Sequence, residues 1–215
     1  MKDNQNLCRP CIKFCGMMRE EDIHIVNELK PDFIGFVFWE KSFRNLTIEK
    51  AMSLKKLLDP TIKAVGVFVD ADITFIKKLF DQNIIDIAQL HGKETNQYIQ
   101  ELKDCGITTI KAFEVTCEND VLLANDSPAD YVLLDAGKGS GTSFDWSYLN
   151  DMKRPYFLAG GLNPENVEQA ISDISPYALD VSSGIETNKQ KDESKMRAFA
   201  EIVRKNKLFI ERGAK

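Results

Sequence analysis

Short runs of apolar and β-branched residues recur eight times along this chain, each followed by a longer stretch of helical periodicity, and this alternation constrains the fold more than any other feature. The runs fall at 11–15, 33–38, 62–69, 84–90, 108–115, 131–135, 156–159 and 178–182. Strand and helix in strict alternation mean βαβ units and a parallel sheet, and eight such units in 215 residues are near the lower size for a closed barrel. No Pro/Gly/Ser linker or low-complexity tract interrupts the pattern. The expected fold is therefore α/β, a single (β/α)8 TIM barrel over residues 1–215. An open nucleotide-binding sheet would want G-x-G-x-x-G straight after an early strand, but the first strand runs into Cys15-Gly16-Met17-Met18. The dense glycine segment, Gly137-Lys138-Gly139-Ser140-Gly141, follows the sixth strand instead.

The helical stretches carry their own start signals. Thr47 and Asp72 each precede an apolar repeat and suit the N-cap, where a side-chain oxygen satisfies an orphan backbone N–H. In the seventh unit Asn163 suits the N-cap and Pro164 the first helical position. The fifth helix, within 117–127, has few apolar positions at i, i+3, i+4 and is cut off by Ser127-Pro128, so it is expected to be short or irregular.

Composition narrows the partners. The net charge is −5 with both signs mixed along the chain, which offers no basic stripe to nucleic acid. No apolar run approaches the roughly 20 residues of a membrane span, and the polar start MKDNQNLCRP does not read as a signal peptide, so a cytoplasmic location is expected. Five cysteines without an export signal point to thiols, not a disulfide framework. Cys8, Cys11 and Cys15 resemble a metal motif in spacing, but Cys11 and Cys15 stand four steps apart on one strand, about 13 Å. Thiolates sharing a zinc lie within about 5 Å of each other. No metal site is expected.

In a barrel of this kind the active site lies at the carboxyl ends of the strands. The small residues there, Gly160-Gly161 after strand seven and Ser182-Ser183-Gly184 after strand eight, let backbone N–H groups approach an anion, and two adjacent turns at this position imply a phosphorylated ligand. Cys15 ends strand one, and Lys13, two residues back on the same face, would favour its thiolate. Asp135 ends strand six on the face of Leu133 and Tyr131, where a carboxyl could supply a proton. Arg44 offers a planar fork to a carboxylate, or is a surface charge. His91 is an acid–base group, a hydrogen-bond donor or a packed strand-end residue, and His24 a surface residue. Two histidines are too few for a His-rich metal site.

Taken in order, Lys13-Phe14-Cys15-Gly16, Asp32-Phe33-Ile34-Gly35-Phe36-Val37-Phe38, Ser42-Phe43-Arg44, Val65-Gly66-Val67-Phe68, Gln89-Leu90-His91-Gly92, Leu134-Asp135, Phe144-Asp145-Trp146, Ala159-Gly160-Gly161-Leu162 and Asp180-Val181-Ser182-Ser183-Gly184-Ile185-Glu186 resemble the phosphoribosylanthranilate isomerase family of tryptophan biosynthesis. The resemblance runs from about residue 12 to residue 192. It implies an Amadori rearrangement of N-(5-phosphoribosyl)anthranilate to 1-(2-carboxyphenylamino)-1-deoxyribulose 5-phosphate, without metal or organic cofactor, by a monomer or homodimer. On that resemblance Asp135 is the general acid, Cys15 the general base, Arg44 the grip on the anthranilate carboxylate, and His91 and Asp180 line the site. Gly160, Gly161, Ser182, Ser183 and Gly184 hold the phosphate. Two loops depart from the family pattern: 137–143, where a Gly-Gly-Thr-Gly pattern is usual, and 187–192, which lacks the usual glycine before Lys191-Asp192. The competing readings are another phosphate-binding barrel, such as a sugar-phosphate epimerase or indole-glycerol-phosphate synthase, and a non-catalytic barrel that keeps the phosphate cup. An epimerase would want more histidines, and a synthase a catalytic lysine with paired glutamates at strand ends.

Overall fold

A computed structural model describes residues 7–135, 146–206 and 208–209. Eight parallel strands close into a barrel in chain order: β1 (Cys11–Cys15), β2 (Phe33–Phe38), β3 (Lys63–Phe68), β4 (Ile87–Leu90), β5 (Thr108–Glu114), β6 (Tyr131–Asp135), β7 (Tyr156–Ala159) and β8 (Ala178–Val181). The ring is shut by β1 on β8, with Lys13 opposite Asp180 in the register. Outside it lie α1 (Glu20–Leu29), α2 (Ile48–Leu57), α3 (Ile73–Asp81), α4 (Asn96–Asp104), α5 (Glu118–Asn125), α6 (Val167–Ile174) and α7 (Glu193–Lys205), while the crossover from β6 to β7 ends in a 3₁₀ helix, Trp146–Asp151. No described helix is long and apolar enough to cross a membrane.

Each helix turns one stripe inward. In α7, Met196, Phe199, Ala200 and Val203 recur at i, i+3, i+4, i+7 and are all buried. Phe199 meets Phe14 of β1 edge-on at 6.1 Å, so the last helix packs against the first strand. Thr47 and Asp72 cap α2 and α3 as expected, accepting from the N–H of Lys50 and Thr74. The fifth helix is short, eight residues, but regular.

The differences from expectation are local. The fourth strand begins at Ile87, not 84: Ile84 and Ile85 are buried, but Asn83 is left-handed at φ 55° and the chain joins the ladder only after Asp86. Likewise Ile62 is buried without joining the sheet, because its N–H turns back to Asp59 O. Val69 and Val115 lie just past their strands, and Ser182 has left β8 to open a 3₁₀ turn, Ser183–Ile185. In the seventh unit Asn163 caps a preliminary turn, accepting from the N–H of Glu165 and Asn166, and the helix proper starts at Val167. His24 is exposed.

Candidate active site

The barrel interior is filled from below by apolar side chains, among them Phe33, Val65, Ile87, Ile110, Leu133, Phe157 and Ala178. Above them the filling turns polar. Lys13, fully buried, donates to Asp180 Oδ1 at 2.8 Å across the closing seam of the barrel. Burial alone would drive that ammonium toward neutrality, but Asp180 and the neighbouring Cys15 overcome it and raise its pKa. Two residues further up β1 the Cys15 thiol shares a small cluster with Val37 and Val67. It fits because Gly35 stands opposite: a Cβ there would lie 2.7 Å from Cys15 Sγ. Burial pushes the thiol pKa up, Lys13 and Lys191 pull it down, Asp180 pushes it up, and the net direction is up. The expectation that Lys13 would favour the thiolate is right in sign, yet desolvation is the larger effect.

Arg44, on the β2–α2 connection, is not a loose surface charge. Its Nε and Nη2 form a two-point fork on Glu186, each at 2.8 Å. Its guanidinium also lies 4.1 Å from the centre of the Phe43 ring. Glu186 in turn accepts from Lys191 Nζ at 2.7 Å, and Lys191 donates to Ser182 O at 3.0 Å. Burial works against the Glu186 charge, but Arg44 and Lys191 hold its pKa below the usual carboxylate range. Burial depresses the Lys191 pKa in spite of Glu186. Glu186 and Lys191 face each other on a two-residue hairpin, Glu186–Thr187 with Gln190–Lys191. This network links the predicted carboxylate fork to the predicted anion turn.

The turns after β7 and β8 press on each other. Gly160 and Gly161 are left-handed at φ 99° and 65°, which side chains with a Cβ rarely tolerate. A Cβ on Gly184 would fall 1.8 Å from Leu162 O, so the second turn can only approach the first without one. Ser182 Oγ donates to Cys15 O at 3.1 Å and ties this corner to the end of β1.

Asp135 ends β6, beside Ala159 of β7 in the register, and His91 follows β4. His91 Nε2 is 3.7 Å from Asp135 Oδ2, and the other ring nitrogen is 3.2 Å from Gln89 Nε2.

These groups surround a cavity of about 510 Å³ lined by Cys15, Arg44, Gln89, His91, Asp135, Gly160, Gly161, Asp180, Ser182 and Ser183. It gathers every candidate catalytic and binding residue read from the sequence except Gly184; Lys13 too lies outside its lining, buried beneath Cys15. A larger groove of about 710 Å³ lies between the connections after β2 and β3 and contains none of them. Sequence reasoning quoted Gln89, Glu186 and Lys191 within its motifs but gave none of them a role. Gln89 was signalled by its place two residues before His91 on the same face of β4; Glu186 and Lys191 gave no such signal, because what joins their hairpin to the site is Arg44, 142 residues from Glu186 in the chain. The 137–143 loop, with Phe144 and Asp145, lies outside the described residues. Among the described residues no group of three or more Cys, His, Asp or Glu is placed to hold a metal ion.

A closed parallel barrel with a thiol, a carboxyl, an arginine fork and two tight turns around one cavity at the carboxyl ends of its strands defines a class, the β/α-barrel enzymes. Residues 12–202 match the model of the N-(5'-phosphoribosyl)anthranilate (PRA) isomerase family. This chain belongs to that family. Relatives named N-(5'-phosphoribosyl)anthranilate isomerase include those of Lacticaseibacillus casei, 41% identical over 92% of this chain and 96% of the relative, and Clostridium acetobutylicum, 44% identical over 91% and 98%. Among solved structures, the phosphoribosyl anthranilate isomerase of Thermotoga maritima superposes with a TM-score of 0.84 at 34% identity, covering 92% of this chain and all of that one. Another, crystallised with reduced 1-(o-carboxyphenylamino)-1-deoxyribulose 5-phosphate, gives 0.82 at 33% identity and covers 92% of this chain and 100% of its own.

Proposed function

We propose that this chain is a phosphoribosylanthranilate isomerase of tryptophan biosynthesis, and that Asp135 and Cys15 carry its acid–base chemistry. The observation that carries the reading is the meeting of a strand-one thiol and a strand-six carboxyl in one cavity with the turns of β7 and β8. Asp135 protonates the furanose ring oxygen of N-(5-phosphoribosyl)anthranilate. The ring opens to a protonated Schiff base, whose cationic nitrogen acidifies the C2 proton. Cys15 removes that proton, and the resulting enolamine tautomerises to the ketone of 1-(2-carboxyphenylamino)-1-deoxyribulose 5-phosphate. The reaction consists of proton transfers and bond shifts within one molecule, and it calls on no cofactor.

The raised pKa of Cys15 fits this order of events. Lys13 and Lys191 alone do not offset burial of the thiol; ring opening adds the iminium charge to theirs, which favours the thiolate at the step that needs it. Arg44 spends two of its five N–H groups on Glu186, which leaves the remainder of a fixed plane for the substrate carboxylate. Gly160, Gly161, Ser182, Ser183 and Gly184 form the phosphate seat, and Asp180 and His91 line the same cavity. A relative from Thermotoga maritima is described as dimeric; this chain works as a monomer or a homodimer, which sedimentation distinguishes.

Two experiments test the reading. The protein should restore growth without tryptophan to a strain lacking only this isomerase, and failure of a folded, well-expressed protein would count against it. Cys15→Ala and Asp135→Asn should each remove nearly all turnover while circular dichroism stays unchanged. A near-normal rate in either variant sinks the assignment of that residue.

A further inference from the structure

We propose that Gln89 is a positioning residue, which holds His91 as the Nε2–H tautomer so that the ring donates toward Asp135. Gln89 is 1% exposed and lies in the cavity wall. Its register neighbours, Val67 on β3 and Ile110 on β5, are apolar and offer its amide nothing. Its side-chain nitrogen lies 3.2 Å from His91 Nδ1, and its carbonyl oxygen has no hydrogen-bond partner.

A neutral imidazole carries one N–H and one lone pair, so fixing one nitrogen fixes the other. An amide N–H given to Nδ1 makes Nδ1 the acceptor and puts the proton on Nε2, 3.7 Å from Asp135 Oδ2. The opposite orientation of the amide would put a lone pair of Nε2 against the carboxylate. Both contacts are favourable together only in the first arrangement. Its use is clear from the proposed role of Asp135: once the acid has given up its proton, a donor at Nε2 stabilises the carboxylate left behind.

The meaning given to Asp135 rests on the isomerase reading, but the tautomer does not, and the two can fail separately. The test is nitrogen-15 NMR of the imidazoles at a pH of about 8.5, above the ordinary histidine range. With two histidines in the chain, His24→Gln assigns the spectrum. The wild type should show His91 as the Nε2–H form, Gln89→Met a mixture, and Gln89→Glu, whose carboxylate accepts from Nδ1–H, the Nδ1–H form. In turnover, Gln89→Glu and Gln89→Met should lower kcat roughly tenfold with KM little changed, the size usual for a group that orients another. An Nδ1–H form in the wild type, or one spectrum shared by all three proteins, overturns the proposal whatever the rates.

Discussion

Cys15 is held between opposing fields, and the balance is measurable. Burial raises its pKa, the ammonium groups of Lys13 and Lys191 lower it, and Asp180 raises it again. Only the thiolate reacts with an alkylating agent, so the rate of iodoacetamide labelling at this residue, followed by mass spectrometry, reports the balance directly. In the wild type the labelling profile should rise at a pH above the ordinary thiol range. Replacing Lys191 by Met removes a cation that favours the thiolate, so the profile should move to still higher pH. A move to lower pH would mean that Lys191 acts on the thiol through Glu186 and Arg44, not through its own charge. The sequence made part of this legible: Lys13 and Cys15 share a strand face by simple alternation. Lys191 was invisible because it reaches the thiol through the fold, 176 residues away in the chain.

Pairs of strands are stapled at the end of the barrel opposite the cavity. Asp32, Asp86 and Asp130 each stand directly before a strand, β2, β4 and β6, and each carboxylate accepts the N–H of the second residue of the strand before it, at 2.8 Å from Ile12, Ala64 and Thr109. Each also meets a cation: Arg9, Lys55 and Lys103 in turn. The arrangement locks β1 to β2, β3 to β4 and β5 to β6, at the amino-terminal face, which in such barrels carries stability and not catalysis. Asp86→Ala should therefore lower stability by about 1–2 kcal/mol, the cost of a lost buried backbone partner, with kcat unchanged. Urea unfolding and a steady-state assay check both halves, and a fall in kcat at full folding would contradict the separation of the two faces. These staples also explain why strand existence was easier to read than strand extent. Apolar runs locate all eight strands, but hydrophobicity does not distinguish a ladder residue from a buried approach to it. Ile84 and Ile85 belong to the approach, and the aspartate that follows them marks where the ladder begins.

Closure of the ring brings the ends of the chain together, and the charges that depend on closure cannot be read from local pattern. Lys13 with Asp180 and Arg44 with Glu186 are separated by 167 and 142 residues in sequence. What the ordered motifs supplied was the set of strand ends; the fold decided which of them touch. The same dispersal shapes the response of the whole molecule to acid. Burial acts against ionisation of Asp130 and Glu186, yet hydrogen bonds from Thr109 and Lys103 to the first, and from Arg44 and Lys191 to the second, hold both pKa values below the ordinary range. Hydrogen bonds at helix starts do the same for Asp72 and Asp120, and for Asp192 a hydrogen bond from Thr187 of the hairpin acts ahead of those from the first N–H groups of α7. For a carboxyl whose folded pKa is depressed, the unfolded chain takes up its proton first as pH falls. Its stabilising contribution is therefore present above the unfolded pKa and is lost as pH drops through the folded one. Because these groups lie at the starts of α3, α5 and α7, at the β5–β6 end and on the site hairpin, the loss is spread over the molecule and not confined to one element. The urea midpoint should stay nearly level from about pH 7 to about pH 5 and then fall steadily below about pH 4, where unfolded carboxylates begin to protonate. A midpoint that rises on acidification would require the buried carboxyls to be favoured in their neutral form, against the hydrogen bonds that surround them.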